Sequence, residues 1–538
     1  MIQRKMLTLH HKNADMMEHA FKMVAKTLKG LEAVLADELR ALGAENVEPG
    51  RRMVSFSGNL ETLYKANLCC RTALRILKPF YTFKADDADT LYERVKEYDW
   101  GSFLTLAKTF SIDTVVNSDT FRHSRFVTYR VKDAIVDWFR DRYGDKRPGV
   151  RLNDADVIIN VHINGGEVTL SLDSSGESLH HRGYRVSQTE APISEVLAAG
   201  IILMSGYRGQ YPFIDPMCGS GTFLIEAAMI AANINPGVYR KNFAFEHWPD
   251  FDAELFERLY NDDSNERPVE FPIIGADISP TAVEIARRNI RSAGVAKYID
   301  LETKALSQWE QAPCPPGVIV TNPPYGERIS APDMDALYQM IGTKLKRVFP
   351  GWQAWIIGYH EEYFEKIGLA PSEKVSLMNG SLDCELRQYI IFEGNKREFR
   401  AAGGRLKKEK PAPAKSDGHK PFKDRKPFGE DRPFKDRKPF GENRAAGERK
   451  PFGERRTPSD TRTPFSERPA YGERKPFSER KPFERLPEKP GTDRPESENP
   501  LAKRRNPNAL KMITGRQPQL PRTQGPVIRP RGWKKKGE

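Results

Sequence analysis

The chain has 538 residues, a length typical of about three or four domains, and it contains no run of 18 apolar residues that could cross a membrane. Its net charge of +13 comes entirely from its last part. Residues 396–538 hold 41 Lys and Arg and 20 Asp and Glu, a net charge of +21, whereas residues 1–395 hold 45 Lys and Arg and 53 Asp and Glu, a net charge of −8. A polyanionic partner such as nucleic acid is therefore expected, with most of the attraction supplied by the last part of the chain.

Cysteine usage and the N-terminus both favour a cytoplasmic protein. The five cysteines form no C-x-x-C pair, which is typical of a reduced compartment and offers no zinc site. Residues 1–17 mix basic, acidic and histidine side chains and lack the apolar core of a signal peptide. We expect no membrane attachment, and the sequence makes no prediction of the oligomeric state.

Residues 21–80 are predicted to form a small α+β unit. They follow an N-terminal extension, residues 1–20, in which the hydrophobic residues show no clear helical or strand period. The apolar stretches 23–25 and 53–56 have the composition of short strands. Each is followed by leucines at helical spacing, and the first helix is predicted to stop at Gly43. Strands and helices that alternate in this way are typical of a compact α+β domain.

Residues 80–176 are predicted to form a second α+β unit. Its predicted elements are helices at 91–98 and 129–139 and strands at 110–116, 157–163 and 168–172, the last two joined across Asn164-Gly165-Gly166. Basic residues gather between positions 122 and 151, with aspartates interspersed among them. This distribution fits two interpretations, an RNA contact or a solvated helix face.

Residues 190–395 alternate strands and helices in the manner of a doubly wound parallel sheet, so the fold class predicted for them is α/β. The predicted strands are 213–214, 273–277, 317–321, 353–359 and 387–392. The predicted helices are 192–204, 223–233, 280–290 and 335–349. A long insertion, residues 234–272, is rich in aromatic and acidic side chains.

The first strand of this unit leads into a loop that begins with Asp215 and continues through Gly219 and Gly221. The loop lacks the Gly-Lys-Ser/Thr ending of a Walker loop and departs from the dinucleotide pattern G-x-G-x-x-G. An acidic residue before the glycines repels phosphate and suits a cationic ligand, and S-adenosylmethionine carries both a sulfonium and an ammonium group. Asp277 ends the second strand, where a carboxylate can accept hydrogen bonds from both ribose hydroxyls. Either aspartate alone is equally compatible with a turn or a helix cap.

The third strand stops at Thr321-Asn322-Pro323-Pro324-Tyr325, because neither proline can donate a ladder hydrogen bond. The Asn322 side chain and the Pro323 carbonyl can accept hydrogen bonds from a planar amino group, while Tyr325 stacks on the ring that carries it. A flipped nucleobase with an exocyclic amine fits these groups. The same residues are also compatible with an ordinary turn between a strand and a loop.

The pair His180-His181 invites a metal interpretation, which the local pattern does not support. Adjacent residues do not share one face of a helix or strand. No carboxylate or thiolate lies at ligand spacing from them. The sequence therefore predicts no metal site.

Residues 396–538 are predicted to be a disordered basic tail. Pro-Phe recurs eight times in units close to K-P-F-x-(E/D)-R, and aliphatic residues are almost absent between positions 406 and 486, so no core can form. Regularly spaced phenylalanines among cations are suited to stacking on unpaired bases, and a solubilising linker has the same composition.

In combination, residues 215–222, Asp277 and residues 322–325 resemble the motifs of class I S-adenosylmethionine-dependent methyltransferases that act on exocyclic amines. Residues 178–185, 190–192 and 379–382 are similar to THUMP-domain RNA methyltransferases, in particular the bacterial 23S ribosomal RNA guanine-N2 methyltransferases.

This resemblance covers residues 20–395 and implies a Rossmann-like class I methyltransferase domain preceded by a ferredoxin-like segment and a THUMP domain that together bind RNA. The implied reaction moves a methyl group from S-adenosylmethionine to the exocyclic N2 of a guanine, with 23S ribosomal RNA as the expected substrate. The residues implied for cofactor binding are Asp215, Gly219, Gly221, Thr222, Asp277 and Ile278, and those implied for catalysis are Asn322, Pro323, Pro324 and Tyr325.

Two departures from the family pattern change the expectations. Many relatives place an acidic residue to contact the adenine in the stretch that here reads Glu302-Thr303-Lys304-Ala305-Leu306, ahead of the strand at 317–321, whereas this chain has Lys304 there. Backbone groups of residues 304–306 are therefore expected to take that role. In some relatives a second methyltransferase follows the first, whereas here the basic tail follows, so one activity is expected.

Other functions remain open at this point. A DNA adenine-N6 methyltransferase would use the same Asn-Pro-Pro-Tyr motif, residues 322–325 or N-P-P-Y, although the first half of the chain argues for RNA. The sequence distinguishes poorly between a guanine-N2 methyltransferase for ribosomal RNA and one for transfer RNA. A non-catalytic RNA chaperone for ribosome assembly would have no need of intact cofactor motifs. A cytosine-C5 mechanism requires a cysteine nucleophile, and residues 322–325 contain none.

Overall fold

The computed structural model describes residues 20–189, 192–326, 334–392 and 394. They form two sheets, the first within residues 21–173 and the second within residues 213–390. The predicted tail, residues 396–538, and all but the last residue of the predicted N-terminal extension lie outside the described residues.

The first sheet has eight strands. They are β1 (Phe21–Lys26), β2 (Glu45–Gly50), β3 (Met53–Gly58), β4 (Arg75–Lys84), β5 (Thr109–Asn117), β6 (Gly149–Val150), β7 (Val157–Asn164) and β8 (Glu167–Asp173), in the spatial order β2-β3-β1-β4-β8-β7-β5-β6. Strand β5 pairs in parallel with β6 and with β7, and the other neighbouring strands of this sheet pair antiparallel. The two predicted α+β units therefore share a single sheet.

Strand β4 joins these two units, and the sequence pattern did not predict it. It pairs with β1 on one side and with β8 on the other, and the predicted boundary at residue 80 falls inside it. Pro79 explains the omission, because a proline within a strand removes a backbone donor and normally marks an edge or an irregularity. The pairing with β8 indeed shifts between Pro79 and Tyr81.

Four helices pack on the first sheet. They are α1 (Glu32–Ala41), α2 (Leu60–Cys69), α3 (Ala88–Glu97) and α4 (Ser124–Tyr143). Asn59 caps α2 by accepting a hydrogen bond from the Thr62 backbone N–H at 3.0 Å, and Asp87 caps α3 in the same way. The apolar stripes of these helices form one core with the strands.

The second sheet has seven strands in the spatial order β11-β10-β9-β12-β13-β15-β14. They are β9 (Phe213–Asp215), β10 (Ile273–Asp277), β11 (Ile299–Thr303), β12 (Val318–Thr321), β13 (Gln353–Gly358), β14 (Glu373–Asn379) and β15 (Leu382–Ile390). Strands β9 to β13 are parallel, which confirms the predicted Rossmann-like α/β fold. The strand order reverses beside β9, and this opens a crevice at the carboxyl ends of β9, β10 and β12.

One edge of this sheet departs from the all-parallel expectation. Strand β15 runs antiparallel to β13, and β14, which was not predicted, runs antiparallel to β15. Only residues 380–381 connect β14 to β15, and parallel strands would need a crossover of a dozen residues or more. Gly380, with a φ of +63°, makes this tight turn possible.

The helices of the second half are α5 (Glu195–Met204), α6 (Thr222–Ala231), α7 (Ala253–Tyr260), α8 (Pro280–Ser292), α9 (Met334–Val348) and α10 (Glu361–Lys366). Helix α6 is buried along its whole length and is correspondingly apolar on all sides apart from Thr222 and Glu226. Ser279 caps α8 as predicted, with Pro280 at its first turn. Within the described ranges, no helix combines the length and the apolar character that a membrane span requires.

The insertion, residues 234–272, packs against the first core although its sequence lies within the second half. It contains two short 3₁₀ turns, Pro236–Tyr239 and Ala244–His247, followed by α7. The ring of Phe245 stacks on that of Tyr64 in α2, with centroids 4.5 Å apart, and Phe256 meets the same Tyr64 edge-on. The insertion therefore ties the two halves of the chain together.

Candidate active site

The crevice at the carboxyl ends of β9, β10 and β12 is a cleft with a volume of about 1390 Å³. Nine of the ten predicted site residues line it: Asp215, Gly219, Thr222, Asp277, Ile278, Asn322, Pro323, Pro324 and Tyr325. Three loops that are distant in sequence thus meet at one edge of the sheet, because parallel strands carry their carboxyl ends to the same side.

The tenth predicted residue, Gly221, does not line the cleft. It has a φ of +83° and precedes α6, and a Cβ placed on it would lie 3.1 Å from the Cβ of Ala286 in α8. Its role in this structure is to let the glycine loop lie directly against α8. Gly219, with a φ of +53°, does line the cleft. The two glycines therefore serve different purposes.

Asp277 is held in a fixed orientation at the end of β10. Its carboxylate accepts hydrogen bonds from the backbone N–H groups of Gly219 and Ser279, both at 2.9 Å. The first of these bonds joins the glycine loop to the second strand. The next residue, Ile278, is 74% exposed and presents an apolar side chain to the cleft. An exposed isoleucine beside a fixed carboxylate is suited to a ligand with a flat apolar part and adjacent hydroxyls.

Asp215 is buried at the end of β9. Its Oδ1 accepts hydrogen bonds from the Thr321 hydroxyl at 2.8 Å and from the Met217 backbone N–H at 3.2 Å. Burial raises the pKa of Asp215 to about 7, and the negative charge of nearby Asp277 acts in the same direction, while the two hydrogen bonds oppose the shift. The bond to Thr321 connects β9 to β12, the strand that leads into N-P-P-Y.

Within N-P-P-Y, the Tyr325 hydroxyl donates a short hydrogen bond to the amide oxygen of Asn322. Burial raises the pKa of Tyr325 well above its usual value, so the hydroxyl keeps its proton at neutral pH. The side chain of Asn322 is thereby fixed, and its oxygen retains a second lone pair. The predicted stacking of Tyr325 on a base stays a prediction.

Two residues that hold the glycine loop were not predicted as site residues. The Arg185 guanidinium donates to the hydroxyls of Ser220 at 3.1 Å and Thr222 at 3.0 Å, and its Nε pairs with Glu195 at 2.8 Å. Arg185 lies in a segment that supported the family resemblance, but its spacing gave no sign of this contact.

Asn289 in α8 is the second residue that holds the glycine loop. Its amide nitrogen donates to the Ser220 carbonyl at 3.0 Å and to the Ser187 carbonyl at 2.9 Å, while its oxygen accepts from the backbone N–H groups of Val186 and Ser187. A fully buried asparagine on the apolar side of an amphipathic helix is a signal that could have identified it.

The stretch expected to contact adenine contributes Ala305, Leu306 and Ser307 to the cleft. The backbone N–H of Lys304 donates to the Asp277 carbonyl at 3.0 Å, and its ammonium lies over the ring of Trp309, 5.2 Å from the centroid. The Lys304 side chain is not among the groups that line the cleft.

The adjacent histidines His180 and His181 also line the cleft, with ring centroids 3.8 Å apart. In the part of the chain that the structure describes, no cluster of three or more His, Cys, Asp or Glu is arranged to hold a metal ion. Burial lowers the pKa of His180 to about 4, so its ring is neutral at physiological pH.

Comparison with known proteins agrees with this architecture. Family models match residues 22–77 as an RlmL ferredoxin-like domain, residues 85–173 as a THUMP domain and residues 182–388 as an RMKL-like methyltransferase domain. A Synechocystis protein named putative RNA methyltransferase slr0064 is 38% identical over 68% of this chain and 96% of its own length. The ribosomal RNA large subunit methyltransferase K/L of Syntrophotalea carbinolica is 41% identical over 70% of this chain. That match covers 54% of the K/L enzyme, so the chain spans about half the length of this relative.

Solved structures similar to this chain are also described as methyltransferases or methylases. The putative methyltransferase SMU.472, crystallised with S-adenosylhomocysteine, is 34% identical with a TM-score of 0.62, and the match covers 70% of this chain and all of that one. A possible methylase from Clostridium difficile is 31% identical with a TM-score of 0.64 and the same coverage. The chain therefore belongs to the family of THUMP-domain RNA methyltransferases with an RMKL-like methyltransferase domain, which confirms the resemblance seen in its motifs.

Proposed function

We propose that the chain is an S-adenosylmethionine-dependent RNA methyltransferase that modifies the exocyclic N2 of a guanine, with 23S ribosomal RNA as its substrate. The observation that carries this proposal is the meeting of Asp215, Asp277 and Asn322 in one cleft at the switch point of the sheet. A cytoplasmic location follows from this substrate.

The lining of the cleft fits S-adenosylmethionine. The Asp277 carboxylate, fixed by two backbone N–H groups, would accept the ribose hydroxyls, and exposed Ile278 would cover one face of the adenine. Backbone groups of Ala305 and Leu306 would meet the adenine edge. Asp215 would attract the positively charged methionine part. When bound, S-adenosylmethionine supplies the methyl group.

The residues of N-P-P-Y would orient the guanine amine. This amine is a weak nucleophile because its lone pair is delocalised into the ring. Asn322 and the Pro323 carbonyl would accept hydrogen bonds from its two hydrogens and turn the lone pair toward the methyl donor, so positioning rather than a strong base would supply the rate gain. As the new N–C bond forms and the S–C bond breaks, the methylated nitrogen becomes acidic and would release one of its protons to water. Tyr325 would hold the Asn322 amide through the hydrogen bond described above.

The choice of 23S ribosomal RNA rests on the K/L relatives, and transfer RNA is the alternative. We would incubate the purified chain with isotopically labelled S-adenosylmethionine and with ribosomal or transfer RNA from a strain that lacks the gene, and map the labelled nucleotide by mass spectrometry. N2-methylguanine in 23S RNA supports the proposal. Label only in transfer RNA supports the alternative, and cofactor binding without transfer to any RNA supports a non-catalytic chaperone.

The raised pKa of Asp215 predicts that cofactor affinity depends on pH. The carboxyl is mostly protonated at pH 6 and mostly ionised at pH 8, because its pKa lies at about 7. Only the ionised form attracts a cation, so the affinity for S-adenosylmethionine should rise by up to about tenfold over this interval. Calorimetric titrations at pH 6, 7 and 8 test this, and Asp215→Asn should remove the dependence. An affinity that is constant across this range in the unaltered protein contradicts the prediction.

Removal of residues 395–538 should leave a folded and active enzyme that binds RNA more weakly and with less salt dependence. The segment 396–538 carries a net charge of +21, and for single strands each phosphate that it no longer neutralises reduces the slope of log K against log salt by about 0.7. Binding is measured between 50 and 300 mM salt. A full-length variant with every repeat Phe changed to Ala separates charge from stacking. Unfolding of the shortened protein, or an unchanged slope, contradicts the prediction.

A further inference from the structure

The segment that joins the two halves of the chain also forms part of the cleft. We call residues 177–183, between β8 and α5, the linker wall. Glu177, His180 and His181 of this wall line the same cleft as Asn322. The path of the linker wall therefore decides what a nucleotide beside Asn322 would touch.

One buried side chain from the insertion holds the linker wall. Arg240 is 7% exposed, and its two terminal nitrogens donate to four backbone carbonyls. Nη1 donates to Ser178 and His181, both at 3.0 Å, and Nη2 donates to Ser175 at 3.1 Å and Glu177 at 2.7 Å. Burial lowers the pKa of Arg240 to about 10, which leaves the guanidinium charged at neutral pH.

Arg240 is itself fixed by close backbone contacts on both sides. It follows the 3₁₀ turn Pro236–Tyr239. A Cβ on Gly237 would lie 2.8 Å from the carbonyl oxygen of Leu68 in α2, so this turn lies directly on the first half of the chain. On the other side, Gly183 has a φ of +105°, and a Cβ there would lie 2.6 Å from the Tyr239 carbonyl oxygen. Both contacts place the turn directly against neighbouring backbone.

The histidines of the linker wall suit a nucleotide. The His180 Nδ1 lies 2.8 Å from the Ser178 hydroxyl, which orients its ring, and the side chain of His181 is exposed. An imidazole offers a face for a base to stack on and a ring nitrogen for a phosphate or a 2′-hydroxyl. These are the groups that an RNA nucleotide presents when it leaves its stack.

We propose, on the basis of the proposed function, that Arg240 is a positioning residue for methyl transfer, because it holds the linker wall so that His180 and His181 contact the target RNA nucleotide beside Asn322. Arg240 does not line the cleft. It acts through three carbonyls of the linker wall and that of Ser175 just before it, and a lysine, with a single nitrogen, cannot reproduce that set of contacts.

The test compares Arg240→Lys with Arg267→Lys in the full-length protein. Arg267 is a matched control, because it lies in the same insertion and donates to the carbonyls of Ala231 at 2.8 Å and Arg208 at 2.6 Å but does not line the cleft. Single-turnover transfer to undermodified ribosomal RNA is measured with saturating enzyme and cofactor. The rate should fall at least tenfold in Arg240→Lys and less than twofold in Arg267→Lys, with the affinity for S-adenosylmethionine unchanged in both.

A second variant keeps the inference testable if Arg240→Lys does not fold. His181→Ala alters an exposed side chain and should lower the transfer rate at least fivefold without changing cofactor affinity. The inference is overturned if a folded Arg240→Lys protein transfers methyl groups at the rate of the control, or if Arg240→Lys does not fold and His181→Ala is as fast as the unaltered protein. Absence of transfer by the unaltered protein overturns the proposed function instead, and this inference with it.

Discussion

Replacement of Asn322 by alanine is expected to lower the single-turnover rate of methyl transfer by about 100- to 1,000-fold. The amide oxygen of Asn322, held by Tyr325, is the side-chain acceptor that N-P-P-Y offers to the target amine. Its contact matters most when the amine is aligned for attack, so kcat should fall while KM stays nearly constant. The assay uses undermodified ribosomal RNA with saturating enzyme and cofactor.

Two further variants test whether the transfer rate depends on the orientation of the Asn322 acceptor or only on its presence. Asn322→Asp keeps an acceptor and should retain part of the activity. Tyr325→Phe keeps the ring but removes the hydroxyl that fixes Asn322, so its rate should lie between those of the unaltered protein and of Asn322→Ala. Cofactor and RNA affinities, measured separately, should be unchanged in all three. Near-normal turnover by Asn322→Ala would eliminate the proposed active site.

Replacement of Asp277 by alanine should weaken S-adenosylmethionine binding by about 1.5–3 kcal/mol, or roughly 10- to 150-fold, and leave RNA binding intact. The variant loses the acceptor for the ribose hydroxyls, and it also leaves the Gly219 N–H without its carboxylate partner. Calorimetry with the folded variant measures the effect.

The control for this variant is Asp300→Ala. Asp300 lies on the neighbouring strand β11, where it is exposed and does not line the cleft. Its replacement should leave cofactor affinity within twofold of the unaltered protein. If Asp277→Ala binds S-adenosylmethionine as tightly as Asp300→Ala does, the carboxylate at the end of β10 is not part of the cofactor site.

Nine residues of the cleft were predictable because they stand at or just after the end of a strongly marked strand. Prolines stop β12 before Tyr325, glycines follow β9, and an aspartate ends β10. These are local signals, readable within a few positions. The parallel arrangement then brings them together without any knowledge of individual contacts.

The parts that could not be predicted depend on partners far away in sequence. Strand β4 contains a proline, which does not fit the sequence pattern of a strand inside a sheet, and its pairing with β8 becomes apparent only in the structure. Arg240 meets carbonyls some sixty positions away, and Asn289 meets backbone groups about a hundred positions away. No periodicity encodes such contacts, because each depends on the path of two separate segments.

The packing of the insertion on the first core has a consequence for the order of events during synthesis. Domains generally fold as they leave the ribosome, the first before the second. Here Phe243, Phe245 and Phe256 are buried in the core that Tyr64 belongs to, although they are made after β9 and α6 of the other half. The first half of the chain therefore cannot complete its core until residue 256 has emerged, by which time β9 and α6 of the methyltransferase half are already outside.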